Sequence, residues 1–233
     1  MDRSSTPAAP RRQGHPLFAR MYARLAPAME SGGVTMYRRE LLTGIAGRVL
    51  EVGAGTGANF AHYPPQVTDV VAVEPEPRLR ALAERAAPDA PVPVTVIDGV
   101  AEHLAAPDAA FDAVVACLVL CSIGDRDAAL AEMYRVLRPG GRLHVFEHVS
   151  AETSALRRAQ RMLDATVWPL LNGGCHLATN TDTAIDRAGF THRRLRRVNW
   201  PETRRRLPFT PHILGTATRP DAHPTVPDRQ GRS

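Results

Sequence analysis

The chain of 233 residues contains no lysine: all 29 basic side chains are arginine, against 24 acidic ones, for a formal charge of +5. No Schiff-base lysine, phosphate-loop lysine or lysine general base can operate here. Guanidinium does not titrate near neutral pH, so acid–base work falls to His, Asp, Glu, Cys or Tyr. The chain is also rich in Ala and Pro, and the missing lysine is read as coding bias. Cysteine is scarce. Cys117, Cys121 and Cys175 form an odd set without a Cys-x2-Cys pair, which gives neither a disulfide framework nor a metal site and reads as cytosolic thiols. Long apolar runs are missing too. Val114 to Ile123, broken only by Ser122, is too short to span a bilayer. The first residues carry Arg, Ser and Pro with no apolar stretch behind them, so no signal peptide is expected and the cytoplasm is the expected location.

What is present predicts one domain. With 44% hydrophobic and 23% charged residues the chain can bury a sizeable core. Residues 1–16 and 220–233 read as disordered tails around a domain at 17–219. Helical periods cover 18–28 and 34–43, with Ser31-Gly32-Gly33 as the break. Apolar strands follow at 48–52, 67–73, 92–97, 111–120 and 142–146, alternating with helical segments at 58–63, 77–87 and 125–137. Buried-type strands separated by helices mark an open parallel α/β sheet. Residues 195–199 and 212–218 read as a closing antiparallel pair.

The strongest motif is Val49-Leu50-Glu51-Val52-Gly53-Ala54-Gly55-Thr56-Gly57, placed after a strand and before a predicted helix. Glycine serves where the backbone turns sharply or a ligand approaches it, and helix N–H groups beyond it favour an anion. A dinucleotide fingerprint spaces its last two glycines by three residues. Here the spacing is two, which favours S-adenosylmethionine over NAD. Glu74 ends the next strand about 20 residues on, where a carboxylate accepts the protons of both ribose hydroxyls.

In these residues the chain resembles the class I S-adenosylmethionine-dependent methyltransferases, of the methyltransferase type 11 kind. Phe111-Asp112-Ala113-Val114-Val115 and Leu137-Arg138-Pro139-Gly140-Gly141 match that family's later motifs. The stretches Gly57-Ala58-Asn59-Phe60, Tyr63-Pro64-Pro65, Leu118-Val119-Leu120-Cys121-Ser122, Glu147-His148-Val149, Gly174-Cys175-His176-Leu177 and Pro211-His212-Ile213 resemble more narrowly the methyltransferase-like alkyl thiol S-methyltransferases. The resemblance implies a Rossmann-like fold: a mostly parallel seven-stranded sheet, helices on both faces and an antiparallel last strand. It implies S-adenosylmethionine as cofactor, held by Glu51, Gly53, Ala54, Gly55, Gly57, Asn59, Glu74, Pro75, Val100, Ala101, Cys117 and Leu118. Val100 stands where many relatives carry an acid for the adenine amino group, so backbone groups of Val100 and Ala101, or Asp98, must substitute. Relatives of the narrower group carry an N-terminal membrane segment that these first residues do not match, and no membrane span is expected.

The implied reaction moves a methyl group to a small-molecule acceptor, with thiol sulfur the best single reading. The alternatives are C-, O- or N-methylation of a quinone, a lipid head group or a secondary metabolite. A free thiol has a pKa near ~8.5, so a base or thiolate-favouring group would help. Ligands in open α/β sheets lie beyond the carboxyl ends of the strands. His148 there is the first candidate for base or substrate orienter, with Glu147 beside it to orient a partner or bind a loop, and His176 and His212 as further candidates. The other reading of His148 is a histidine merely hydrogen-bonded at a strand end.

The run Arg193, Arg194, Arg196, Arg197, Arg204, Arg205 and Arg206 suits either an anionic partner or a charged sheet edge that blocks strand pairing. A cofactor-binding module with an arginine-rich nucleic-acid surface is the non-enzyme alternative. No interleaved aromatics support single-strand binding. The lysine-containing tetrad of ribose 2′-O-methyltransferases is impossible here, so nucleic acid is disfavoured.

Overall fold

The computed structural model describes residues 16–204 and 206–221. The expected tails lie outside the described residues, apart from Pro16, Pro220 and Asp221. Among these residues seven strands run in chain order: β1 (Gly47–Val52), β2 (Val67–Val73), β3 (Val94–Ile97), β4 (Phe111–Cys117), β5 (Leu137–His148), β6 (Thr191–Asn199) and β7 (Pro211–Thr218). They form one sheet in the order β3-β2-β1-β4-β5-β7-β6. The first five pair in parallel, and β7 lies antiparallel between β5 and β6. The expected doubly covered, mostly parallel sheet is therefore present.

Among the described residues seven α-helices accompany it: α1 (Pro16–Met29), α2 (Thr35–Leu41), α3 (Pro77–Ala86), α4 (Arg126–Val136), α5 (Ser154–Asp164), α6 (Trp168–Leu171) and α7 (Thr181–Arg187). Local chemistry sets several starts. Glu76 accepts from the Leu79 N–H with Pro77 in the first turn of α3, Asp125 accepts from Ala128 at α4, and Thr153 from Leu156 at α5. Among the described residues no helix is long and apolar enough to cross a membrane.

Alternation along the strands divides the core between the two faces. Leu50, Val52, Val114, Leu143 and Val145 pack with Leu130 and Met133 of α4 and Ile185 of α7. Val49, Val115 and Phe146 pack with Leu41 of α2 and Ala83 of α3. Glu51 shares the parity of Val49, so its carboxylate points into the second face.

Several boundaries differ from the sequence reading. The helix expected at 58–63 shrinks to one tight turn, Phe60–His62. Strand β4 stops at Cys117, because Leu118 adopts a left-handed φ of 58°. Strand β5 begins at Leu137: pairing passes from Phe111↔Leu137 to Ala113↔Arg142, so Arg138–Gly141 bulges out of the ladder. In α1, Leu25 is exposed, and the buried positions are the small Ala19 and Ala26, which let the helix approach closely. Gly33, at φ 94°, makes the bend between α1 and α2.

The arginine run lies on β6, the sheet edge, and the loop after it. Arg196 forks onto Glu40 at 2.6 and 2.8 Å, Arg193 pairs with Asp186 at 2.8 Å, and Arg206 with Glu152 at 3.4 Å. Arg197 donates to the Ser150 carbonyl at 2.9 Å. Much of this charge is thus engaged within the chain.

One amide ties the segments beyond β5 together. Gln160 of α5 is fully buried; it accepts from the Ala151 N–H at 2.8 Å and donates to the carbonyls of Pro208 (2.9 Å) and Val149 (3.1 Å). Leucine there would orphan a buried donor and its carbonyl partners. Gln160→Leu is expected to cost roughly 2–5 kcal/mol, measured as a lower urea midpoint with an unchanged slope. A loss below about 1 kcal/mol would show that the amide is not the tie.

Candidate active site

The glycine loop leaves β1 with Gly53, Gly55 and Gly57 at φ values of 70°, 58° and 81°. Its first two N–H groups, from Gly53 and Ala54, donate to the Val73 carbonyl at 2.8 and 3.1 Å, which fastens it to β2. A Cβ on Gly53 would fall 2.2 Å from the Val119 side chain, so this position needs glycine for space as well as conformation. No full helix follows the loop, so the anion-binding helix end expected there is not formed.

Glu74, nearly buried at the end of β2, accepts from Gly55 N–H at 2.7 Å with one oxygen and from Glu76 N–H at 2.9 Å with the other. Burial raises its pKa, and these two bonds oppose the rise. Each oxygen keeps a lone pair for a further donor. Arg80 donates to the carbonyls of Glu74 (2.8 Å) and Pro75 (3.3 Å) and to Asp98 (2.9 Å), bracing this corner. Beside it lies a cleft of about 140 Å³ lined by Gly53, Val73, Pro75, Val100, Ala101 and Ile123, among others. The sequence candidates Pro75, Val100 and Ala101 therefore meet at one flat, largely apolar slot.

Glu51 and Asn59 lie behind the loop. Glu51 is buried and accepts from the Tyr63 hydroxyl at 2.7 Å and the Asn59 amide at 2.9 Å. Asn59 accepts in turn from Arg38 at 2.9 Å, and Arg38 also contacts Glu30 (2.9 Å) and the Cys117 sulfur (3.2 Å). The Cys117 thiol is pushed up to about 12 by burial, so it is a neutral wall. Arg38 is only 4% exposed. Sequence reasoning missed it, because nothing local marks a helix arginine that partners residues far along the chain. Tyr22 of α1 lies over Gly55, with ring carbon 3.5 Å from where a Cβ would stand, and stacks on Phe18 at 5.4 Å. Phe18 packs so closely on Gly173 that a Cβ there would lie 2.5 Å from its ring. Helix α1 thus bridges the glycine loop and the loop before α7.

The carboxyl ends of β4 and β5 form the other half. Glu147 is fully buried and accepts from the N–H groups of Val119 (2.8 Å), Leu120 (2.9 Å) and Cys121 (3.4 Å). Burial raises its pKa to about 7 against those bonds. Both oxygens hold the loop, so Glu147 positions backbone and does not face a substrate. His148 Nδ1 stands 3.7 Å from the Cys175 sulfur, which stands 3.2 Å from Cys121. Hydrogen bonding to Cys121 and His148 lowers the Cys175 pKa, and the same contact with burial raises that of Cys121. Burial alone would lower the His148 pKa, but Cys175 and Glu147 carry it above the ordinary value.

The other two histidines do not join this group. His176 has its ring exposed; only its backbone N–H enters, donating to the Cys121 carbonyl at 2.8 Å. His212 pairs across the ladder from His148, with ring centroids 4.2 Å apart, but is fully buried, bonded to the Thr210 carbonyl and held well below its ordinary pKa by burial. Cys121, His148 and Cys175, distant in sequence, offer ligand atoms all within 4.8 Å of one another.

Residues 50–145 match the family described as a methyltransferase domain. A human protein named thiol S-methyltransferase TMT1A is 36% identical over 176 residues, covering 73% of this chain and 70% of its own. A mouse protein named thiol S-methyltransferase TMT1B is 38% identical over 211 residues, covering 87% and 84%. A crystal structure of an S-adenosylmethionine-dependent methyltransferase from Thermotoga maritima superposes with a TM-score of 0.64 at 21% identity, over 87% of this chain and 98% of that one.

The buried Glu51 gives a pH test. Burial raises its pKa from the ordinary 4.5 to about 7, so the folded state keeps a proton that the unfolded chain has released. The associated stability is complete below pH 4.5 and is lost as pH rises through 7. Glu51→Gln removes this dependence. Relative to the parent, the variant should gain up to about 3 kcal/mol between pH 5 and pH 8, read from urea melts at both values; parallel melts would refute the assignment.

Proposed function

The chain belongs to the S-adenosylmethionine-dependent methyltransferases, in the family that includes the thiol S-methyltransferases TMT1A and TMT1B, and from that premise we propose that it methylates the sulfur of a small thiol. The observation that carries the acceptor is the reach of these relatives: the mouse protein matches 87% of the chain, far past the general methyltransferase domain that ends at residue 145. The partners of His148 come from that further part, with the Cys175 sulfur and the Phe209 backbone against its ring.

On this reading the adenine lies in the slot of Pro75, Val100 and Ala101, reached by backbone groups since Val100 offers no acid. Glu74 takes the ribose hydroxyls with its free lone pairs. Gly53, Ala54, Gly55 and Gly57 admit the chain of the methionine part, and Leu118 turns the β4 end towards it. Glu51 and Asn59 act from behind by holding Arg38, whose cation replaces the absent helix end as the counter-charge for the carboxylate of the cofactor. When bound, S-adenosylmethionine would supply an activated methyl group, and the His148 side would hold the acceptor sulfur facing it. Much of the rate comes from that alignment. His148 orients the acceptor, Glu147 fixes the loop beside it, and His176 has no part in the step. The reading places the enzyme in the cytoplasm, where its thiols stay reduced.

Incubation with methyl-labelled cofactor and a panel of alkyl thiols, quinones and amines tests the acceptor. Label is expected in the thioether products; transfer only to a quinone or amine would overturn the thiol. Calorimetric titration tests the donor side. Glu74→Ala should weaken cofactor binding at least tenfold, and Arg38→Met should do the same with its fold intact by circular dichroism. Unchanged binding in either variant would remove that residue from the site.

A further inference from the structure

We propose that Cys121, His148 and Cys175 form a transition-metal site of the zinc class whose fourth position takes the sulfur of the acceptor thiol. Only the identity of the fourth ligand rests on the thiol reading above.

The geometry comes first. Two sulfurs bound to one tetrahedral zinc lie about 3.8 Å apart, and a sulfur and a nitrogen about 3.5 Å, from bond lengths of about 2.3 and 2.0 Å. The corresponding separations are 3.2 Å between Cys121 and Cys175 and 3.7 Å between Cys175 and His148 Nδ1. The third pair, Cys121 and His148, lies within 4.8 Å, so shifts of up to about 1 Å would admit the ion. The supports around the ligands fit as well. A metal-binding imidazole characteristically gives its other N–H to a carbonyl or carboxylate, and the His148 ring is hydrogen-bonded to the Phe209 backbone besides facing Cys175. The two cysteine loops are joined by the bond from His176 N–H to the Cys121 carbonyl, and Glu147 holds the backbone of Cys121.

Ligand type and number then narrow the class. Two sulfurs and one imidazole suit zinc and exclude magnesium or calcium, which need oxygen. Structural zinc sites are closed by four protein ligands, whereas three leave the open position of a reactive site. Among the described residues the group has three. A thiol entering that position forms a metal–sulfur bond and releases its proton to solvent, since coordination deprotonates it. Its sulfur lone pair then bonds the methyl carbon. The broken carbon–sulfonium bond leaves its pair on S-adenosylhomocysteine, and the neutral thioether departs from the metal.

The test uses the full chain, kept reduced by a phosphine and titrated with cobalt(II). One equivalent should produce the near-ultraviolet thiolate-to-cobalt band and the strong visible bands of tetrahedral cobalt. Cys121→Ser, Cys175→Ser and His148→Ala should each abolish or displace these bands, and Cys117→Ser should leave them. Cofactor binding by each variant controls for folding. Adding ethanethiol should shift the visible bands. No cobalt band, or one unaltered in all three variants, overturns the site; a band indifferent to ethanethiol overturns the open position. A protein that shows the band but methylates no thiol refutes the proposed acceptor and leaves the metal site standing.

Discussion

The arrangement of the acceptor side depends on one buried carboxylate. Glu147 is the penultimate residue of β5, away from solvent, and such a group is stable as an anion only if donors surround it. The donors are the successive N–H groups of the loop after β4, which must curl around it. That curl forces Leu118 into its left-handed conformation, brings Val119 against Gly53, and delivers Cys121 to Cys175. Because neighbouring residues on a strand point to opposite faces, the same strand end that holds the loop with Glu147 presents His148 on the other side. The two halves of the site are thus joined through a side chain that need not touch either ligand.

The cofactor side is organised by a second buried chain of polar groups, Tyr63–Glu51–Asn59–Arg38–Glu30. It lies beneath the glycine loop, where the sequence pattern predicts a helix and one tight turn is found. The chain is built from α2, β1 and the turn at 59–63, so the loop is backed by side chains rather than by an ordered run of peptide dipoles.

The sheet and the glycine loop were legible in the sequence because they depend on local pattern: apolar runs of strand length, glycines at fixed spacing, and an acid at the end of β2. The strand order and the antiparallel β7 follow the family resemblance. Segments whose structure is set from a distance were not legible. Helix α5 carries a usable signal, Thr153 followed by Leu156, Ala159, Gln160 and Leu163, but its arginines mask it. The end of β4 depends on Glu147, far along the chain, and so the strand was read too long. The separation of His148 from the exposed His176 and the buried His212 depends on loop packing and cross-strand pairing, which spacing does not encode. Arg38 and the meeting of Cys121 with Cys175 belong to the same class: contacts between residues that no local rule connects.

The position of β7 between β5 and β6 has a consequence for how the molecule comes into being. The first five strands, with the glycine loop, the slot of Pro75, Val100 and Ala101, and Glu74, are all synthesised before residue 150 and can pair as they emerge. Strand β6 cannot reach the sheet until β7 has inserted, and β7 is the last strand made. Val149 waits for the Pro211 carbonyl, and the ring of His148 for the backbone of Phe209 and the flank of His212. The nascent chain can therefore form the glycine loop and the Glu74 corner early and completes the surroundings of His148 only near the end of synthesis. Order of manufacture thus leaves an interval in which the glycine-loop side is formed while the surroundings of His148 are still missing.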